Sequence, residues 1–379
     1  MHVSRLLYRL AANGIRYHYL RFTGKGSKPE ALSLELTRRC IAQCIMCNVW
    51  KTPRGTPELP VSDWMRLLSS SVFIGLKELD ITGGEPFLRE DLSELLKEVC
   101  DLKGAHFRGL RSVVVTTNGF LTQRILDGVL EVVRLMKDRN IDLVLACAMD
   151  AVGDRHDRIR NFKGGWDGLH QTIQGLKEIR KSYDNVIIGL KTTIVPSNVD
   201  QLDRIAAYAE EHSLFTIISP CIIAANRYNN TDLEDVLRFS PKDRESMIRF
   251  YDSPRFQWSF HRDMMLNFFN EGVVKRPCSA GFNYFFVRST GEVFPCPIIP
   301  MGIGNFNHVP VEELIHSEPA NRFRRKVGRF PECLSCTEPG LERYALPFEG
   351  FHYLRLYFKL GKEGFLSLHE HMGLNKYLS

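Results

Sequence analysis

Three cysteines stand close together, Cys40, Cys44 and Cys47, in the run Thr37-Arg38-Arg39-Cys40-Ile41-Ala42-Gln43-Cys44-Ile45-Met46-Cys47. Thiolates at this C-x3-C-x2-C spacing can converge from one loop on three irons of a four-iron cubane, leaving the fourth iron without a protein ligand. The alternative is zinc, but a structural zinc site is normally closed by four protein ligands, and no cysteine or histidine stands nearby to supply the fourth. A second set, Cys278-x17-Cys296-x36-Cys333-x2-Cys336, offers four thiols and suits either a fully ligated iron-sulfur cluster or tetrahedral zinc. The other cysteines, Cys100, Cys147 and Cys221, fall in helix or strand runs, where a free thiol usually behaves as a small buried hydrophobe; Cys221, at the end of a strand, could also face the site.

From residue 31 onward, short β-branched runs alternate with longer amphipathic ones, the pattern of a parallel sheet built from βα units. Six strands are expected, at 32–36, 76–82, 112–117, 143–150, 186–195 and 216–219, with helices near 61–71, 90–100, 122–138, 166–181 and 199–212. The first cysteine set directly follows the first strand. Further chemistry-bearing motifs stand at the later strand ends: Thr82-Gly83-Gly84-Glu85-Pro86, Thr116-Thr117-Asn118-Gly119, and Met149-Asp150 followed by His156-Asp157-Arg158-Ile159-Arg160. Barrel-like α/β folds place their chemistry on the loops at those ends. After Pro220 the alternation stops. Residues 229–275 read as polar helices, and two apolar runs flanking Arg288-Ser289-Thr290-Gly291 read as a β-hairpin.

A C-x3-C-x2-C loop directly after a first strand resembles the radical S-adenosylmethionine (radical SAM) superfamily. The resemblance implies a 4Fe-4S cluster on Cys40, Cys44 and Cys47 whose open iron is chelated by the amino and carboxylate groups of SAM. Reductive cleavage of SAM then gives a 5'-deoxyadenosyl radical that abstracts hydrogen from substrate. Gly83, Gly84, Glu85 and Pro86 are similar to the family's GGEP motif, which engages the SAM amino group; Asn118 belongs to a TNG-like segment. Met46 precedes the third cysteine, where the backbone can meet adenine. Asp150 and Arg160 match a stretch of the form SxDG…HDxxR that helps hold the SAM ribose and carboxylate. Ala148 and Ala151 replace the Ser and Gly of that stretch, and Met46 replaces a usual aromatic. The second cysteine set, with Gly291 five residues ahead of Cys296, resembles the SPASM and twitch auxiliary modules. The twitch form, with one auxiliary 4Fe-4S cluster held by Cys278, Cys296, Cys333 and Cys336, is the better match, because a full SPASM module carries more cysteines after this point.

The expected architecture is therefore α/β: a partial (β/α)6 TIM-like barrel with a small C-terminal β-hairpin/helix iron-sulfur module. The expected organisation is a basic amphipathic N-terminal helix (1–30), a radical SAM core (31–225), a helical connector (226–275), an auxiliary cluster module (276–341) and an aromatic-rich tail (342–379). A chain of 379 residues with 44% apolar content is long enough for two or three packed units, so neither disulfides nor metal is needed merely to fold it.

The net charge of +6 is carried entirely by residues 1–29, which hold six basic side chains and no acid; the rest balances. A neutral body argues against nucleic acid. Arg9 and Arg16 interrupt the Leu-rich start, so no export signal is read, and the uncharged run 293–311 is broken by four prolines and cannot span a membrane. The expected location is cytoplasmic, with possible contact at the inner membrane surface through the N-terminal helix or the tail. The catalytic acid or base is unknown. The resemblance implies SAM, two 4Fe-4S clusters, an external electron donor of flavodoxin or ferredoxin type, and an unidentified substrate; the amphipathic terminal segments slightly favour a lipid-linked or small molecule. Alternatives are a peptide-modifying enzyme, or a non-catalytic iron-sulfur or zinc protein. His369-Glu370-His371 is too tightly spaced for an HExxH zinc site.

Overall fold

The structure is a computed structural model that describes residues 3–256 and 260–371; Tyr377, the rest of the tail beyond 371, and the side chains of His369, Glu370 and His371 lie outside the described residues. The chain opens with helix α1 (Val3–Thr23) and then alternates strand and helix: β1 (Ala31–Thr37), α2 (Val61–Leu68), β2 (Glu78–Gly83), α3 (Leu92–Ala105), β3 (Ser112–Thr117), α4 (Thr122–Asp138) and β4 (Asp142–Ala148). It continues with α5 (Asp154–Arg160), α6 (Gly165–Ser182), β5 (Val186–Ile194), α7 (Leu202–Glu211) and β6 (Phe215–Pro220). The six expected strands are all present, with ends shifted by a residue or two. The first expected helix stops at Leu68 and gives way to a 3-10 turn at Ser71–Gly75, where Ser70 caps the Val72 amide. Helix α5 was not anticipated, because its seven residues are too few to show a periodic apolar stripe.

Helices α8 (Pro241–Tyr251) and α9 (Phe260–Glu271) form the connector; α8 starts from a reciprocal Ser240–Asp243 capping box with Pro241 at its first position. The hairpin β7 (Tyr284–Val287) and β8 (Glu292–Phe294) follows, then β9 (Gly304–Asn305), α10 (Val311–His316), α11 (Glu318–Lys326) and α12 (Pro331–Leu334). The chain ends in α13 (Glu342–Glu349) and α14 (Phe351–His371), the latter interrupted at Gly361, whose φ is 69°.

The nine strands form one sheet in the order β6-β5-β4-β3-β2-β1-β7-β8-β9. Strands β1 to β6 are parallel, β7 is parallel to β1, and β8 is antiparallel to both β7 and β9. The sheet curls without closing: β6 and β9 are its edges. The expected hairpin thus extends the main sheet at β1 instead of standing apart from it.

The period-two alternation of strand side chains explains where the core sits. Leu32, Leu34, Leu36, Leu79, Ile81, Val113, Val115, Leu143, Leu145 and Leu190 pack outward with the helix faces, such as Ile125, Val129, Val132 and Met136 of α4. The alternate residues face the lumen, and several are polar: Ser33, Asp80, Thr82, Thr116 and Lys191 line one internal cavity. Closed barrels fill that space with branched apolar side chains; here it stays open. Its floor is tied by Tyr344 of α13, which stacks on Tyr284 at 5.3 Å and donates to Glu78 at 2.8 Å. Arg343 pairs with the same carboxylate.

Helix α1 packs across α13 and α14 through Leu6, Leu10, Gly14, Tyr17 and Leu20. Gly350, between α13 and α14, permits this: its φ is 75°, and a Cβ there would lie 2.1 Å from the Leu10 carbonyl oxygen. Gly350→Ala is expected to introduce about 1–3 kcal/mol of backbone strain in addition to that clash, and to lower the melting temperature by several degrees. Thermal unfolding followed by circular dichroism checks this.

Candidate active site

The loop carrying the first three cysteines is held from both sides by main-chain contacts. The Gln43 and Ile45 amides donate to the carbonyls of Arg160 and Ile159, at 3.1 and 3.0 Å, docking the loop on α5. Opposite, Asn230 Nδ2 donates to the Met46 carbonyl at 2.9 Å and Asn48 Nδ2 to the Asn229 carbonyl at 2.9 Å. So α5 and the segment after β6 fix a loop that has almost no regular structure of its own.

Cys40, Cys44 and Cys47 rim a cavity at the C-terminal ends of the strands. Met46, Gly83, Gly84, Asn118 and Arg160 line the same cavity, as the sequence suggested. Glu85, Pro86 and Asp150 do not line it. The Glu85 carboxylate is buried and fully engaged: it accepts from Thr117 Oγ1 at 2.9 and 3.0 Å, from the Asn118 amide at 2.7 Å and from the Phe87 amide at 3.1 Å. These contacts tie the β2 and β3 loops together. Asp150 is likewise buried, pairs with Arg160 at 2.6 Å and accepts from the Thr193 amide at 2.8 Å, which holds Arg160 in place.

The two glycines have a second use. A Cβ on Gly83 would lie 2.3 Å from the Thr37 carbonyl oxygen, and one on Gly84 2.1 Å from that of Arg39. Only glycine lets the β2 turn lie directly against the start of the cysteine loop.

Arg160 stands 3.7 Å from Cys44 Sγ. Burial pushes the Cys40 thiol up to about 12 and Cys44 to about 11, the latter in spite of Arg160. Asn118 Nδ2 is buried without a partner on the cavity wall, a donor left free for a ligand acceptor.

Sequence reasoning missed Lys191, Arg227, Tyr228 and Glu338, which line both this cavity and the lumen beneath it. Lys191 had a signal, a lone charge inside the apolar strand run Val186-Ile187-Ile188-Gly189-Leu190. The other three lie in irregular segments and had none. Arg227 reaches Glu35 at 3.2 Å and donates to Thr82 at 2.6 Å. Burial works against the Glu338 charge, but Lys191, the Gly340 amide, Arg276 and Arg227 outweigh it and hold this carboxyl below the usual range.

The second set also converges. Cys278, Cys296, Cys333 and Cys336 line one cavity with Arg276, whose guanidinium donates to Cys336 Sγ at 2.9 Å. Cys100 and Cys147 are buried in the main core, whereas Cys221 lines the first cavity. Among the described residues, no three Cys, His, Asp or Glu side chains gather tightly enough to hold a single metal ion.

The radical SAM superfamily model matches residues 34–208, and the model of the iron-sulfur cluster-binding SPASM domain matches 278–337. The chain belongs to the radical SAM superfamily. It is a radical SAM enzyme with an SPASM domain, using SAM, a SAM-binding 4Fe-4S cluster and auxiliary iron-sulfur chemistry. It is 24% identical over 318 residues to an AdoMet-dependent heme synthase of Methanosarcina barkeri, covering 78% of this chain and 84% of that protein. It is 22% identical to AlbA of Bacillus subtilis, an antilisterial bacteriocin subtilosin biosynthesis protein, covering 83% of this chain and 66% of that one. Its fold is similar to Streptococcus suis SuiB bound to precursor peptide SuiA, with a TM-score of 0.58 at 15% identity, over 84% of this chain and 72% of SuiB. No helix of the described residues in this radical SAM enzyme is long and apolar enough to cross a membrane.

Burial raises the Glu85 carboxyl from 4.5 to about 7, against its hydrogen bonds. A carboxyl raised on folding binds its proton more tightly in the folded chain, so its contribution is full below pH 4.5 and lost as pH rises through about 7. Glu85→Gln is expected to flatten the decline in stability over that window, as measured by urea midpoints at a series of pH values.

Proposed function

We propose that Cys40, Cys44 and Cys47 hold a 4Fe-4S cluster with one iron open to SAM, and that a substrate in the adjoining polar lumen loses a hydrogen atom. When bound, the cluster and SAM supply the radical that performs the abstraction. The observation that carries this reading is the convergence of three thiols, the Gly83-Gly84 backbone, the unpartnered Asn118 amide and Arg160 on one cavity that continues into the lumen. Arg160, held by Asp150, faces the SAM carboxylate; Gly83, Gly84 and Met46 offer backbone groups to its amino and adenine ends. Neither Glu85 nor Asp150 touches SAM in this reading: each stiffens a group that does.

Cys278, Cys296, Cys333 and Cys336 are proposed to hold one auxiliary 4Fe-4S cluster, with Arg276 offsetting its negative charge. Glu338 is two residues beyond Cys336 and, among the described residues, the one carboxylate on the wall of the first cavity, so it is placed to take a proton from the substrate radical, whose unpaired electron would pass to the auxiliary cluster. The substrate presents a charged, polar group, because Lys191, Arg227, Asp80 and Glu338 together line the lumen. A lipid-linked or small molecule is the first reading of its class. A peptide is the second, supported by the likeness to AlbA and SuiB. An external reductant of flavodoxin or ferredoxin type supplies the electron. In domain terms, 31–225 is the catalytic core, 226–275 the connector and 276–341 the auxiliary module.

Anaerobically purified protein is expected to contain about eight irons per chain, from two cubanes, and to form 5'-deoxyadenosine when given SAM and dithionite. Cys44→Ala should abolish that formation. Retained cleavage at the wild-type rate refutes the ligand assignment. Cys333→Ala should lower iron to about four per chain and leave SAM cleavage in place. An unchanged iron content removes the auxiliary site.

A further inference from the structure

Helix α1 is apolar on two faces, and only one of them is used. The inner face, Leu6, Leu10, Tyr17 and Leu20, is buried, so the Leu-rich stripe that the sequence offers to a membrane is instead docked on the protein. The docking is specific: Asn13 Nδ2 donates to the Pro347 carbonyl, Tyr17 to the Cys278 carbonyl and Arg21 to the Val327 carbonyl. The helix therefore has a fixed rotation about its axis.

That rotation turns Tyr8, Ile15, Tyr19 and Phe22 outward, exposed by 75, 68, 57 and 88%. At 100° per residue the four fall within an arc of about 60°, along a stripe about 21 Å long. The remaining exposed large apolar residues among those described are scattered over loops, strands and helices, with no other element carrying more than one or two. Such concentration on one convex helix calls for a covering surface. Arg5 and Arg16 are exposed along one edge of the stripe, and Lys25 and Lys28 are exposed just past its end. Residues 1–29 contain no acid, and the whole net positive charge of the chain resides there.

We propose that α1 lies flat on an anionic lipid surface, with Tyr8, Ile15, Tyr19 and Phe22 in the headgroup–acyl boundary and Arg5, Arg16, Lys25 and Lys28 on the phosphates. The charge complementarity favours this occupant: an apolar stripe edged by unbroken positive charge matches an anionic bilayer. Tyrosines at the stripe's edge also suit the wet boundary of a bilayer. This inference stands apart from the assignment of the active site and does not depend on it.

The test is co-flotation of the full-length protein, purified anaerobically, with vesicles of phosphatidylcholine alone and of equal parts phosphatidylcholine and phosphatidylglycerol. Binding to the anionic vesicles and not to the neutral ones, weakened by added salt, is the expected result. A Tyr19→Ser/Phe22→Ser variant, and separately an Arg5→Glu/Lys25→Glu variant, should each weaken that binding by about tenfold or more. All four positions are exposed, so melting temperatures should stay at the wild-type value and separate lost docking from misfolding. Wild-type protein that fails to float with anionic vesicles, or variants that float as well as wild type, overturn the proposal. So does a self-associated wild-type protein that Tyr19→Ser/Phe22→Ser converts to monomer without any vesicle binding, which would assign the stripe to a second copy of the chain.

Discussion

A sheet that curls without closing leaves a lumen, and this chain fills that lumen with charge. Glu35, Glu78 and Asp150 are almost wholly removed from solvent, and each is met by an arginine: Arg227 on Glu35, Arg343 on Glu78 and Arg160 on Asp150. Removing one partner of such a pair strands a buried charge at a cost of about 3–5 kcal/mol, so the pairs also lock the segments that carry them. The arginines come from outside the strands they meet: Arg160 from α5, Arg227 from the segment after β6 and Arg343 from α13. The polar lumen is thus what recruits the irregular segments to the barrel mouth and floor, and those segments in turn hold the cysteine loop.

The fold was legible where physics is local. β-branched runs marked all six parallel strands, and the cysteine spacings marked both thiol sets, because a strand period and a chelating loop are each written within a few residues. What was hidden depends on pairing between distant segments. Nothing in Tyr284-Phe285-Phe286-Val287 says that this strand lies beside β1, a connection some 250 residues back. Nothing in the Gly-Gly-Glu-Pro motif says that Thr117 and Asn118 consume its carboxylate, or that its glycines are required by the carbonyls of Thr37 and Arg39. Asp150 and Arg160 were found as a pair of motif residues, but their division of labour, one aiming the other, appears only in three dimensions. Glu338 was invisible because it lies beyond the last cysteine in a segment with no period at all.

The two thiol sets are joined by a short piece of covalent chain. Cys336 lines the second cavity, and Glu338 lines the first. Between them, Thr337 donates to the carbonyl of Pro220, at the last residue of β6, at 3.1 Å. Arg276 bridges the same junction from the other side, donating to the Cys336 sulfur and to the Glu338 carbonyl. A change of charge at the second site therefore acts on a backbone whose next side chains face the first. Both cavities also place an arginine against a thiol, Arg160 on Cys44 and Arg276 on Cys336, the arrangement expected where an anionic cluster has to be held in a low-dielectric interior.

Helix α1 belongs to this same construction from the outside. Its Tyr17 ring packs edge-on against Phe282 and Phe348, at 5.5 and 6.0 Å, while its hydroxyl donates to the carbonyl of Cys278. Tyr17 and Leu20 thus pack behind the auxiliary site, while Leu6 and Leu10 pack with Tyr344, Leu346 and Tyr353 of α13 and α14. Because a helix has only one rotation, fixing the inner face also decides the outer one: once Leu6, Leu10, Tyr17 and Leu20 point in, Tyr8, Ile15, Tyr19 and Phe22 must point out. Four large apolar residues kept on that arc bring no benefit to the folded chain by itself, since polar side chains there would serve folding equally well. Their presence is explained by contact with something outside the chain.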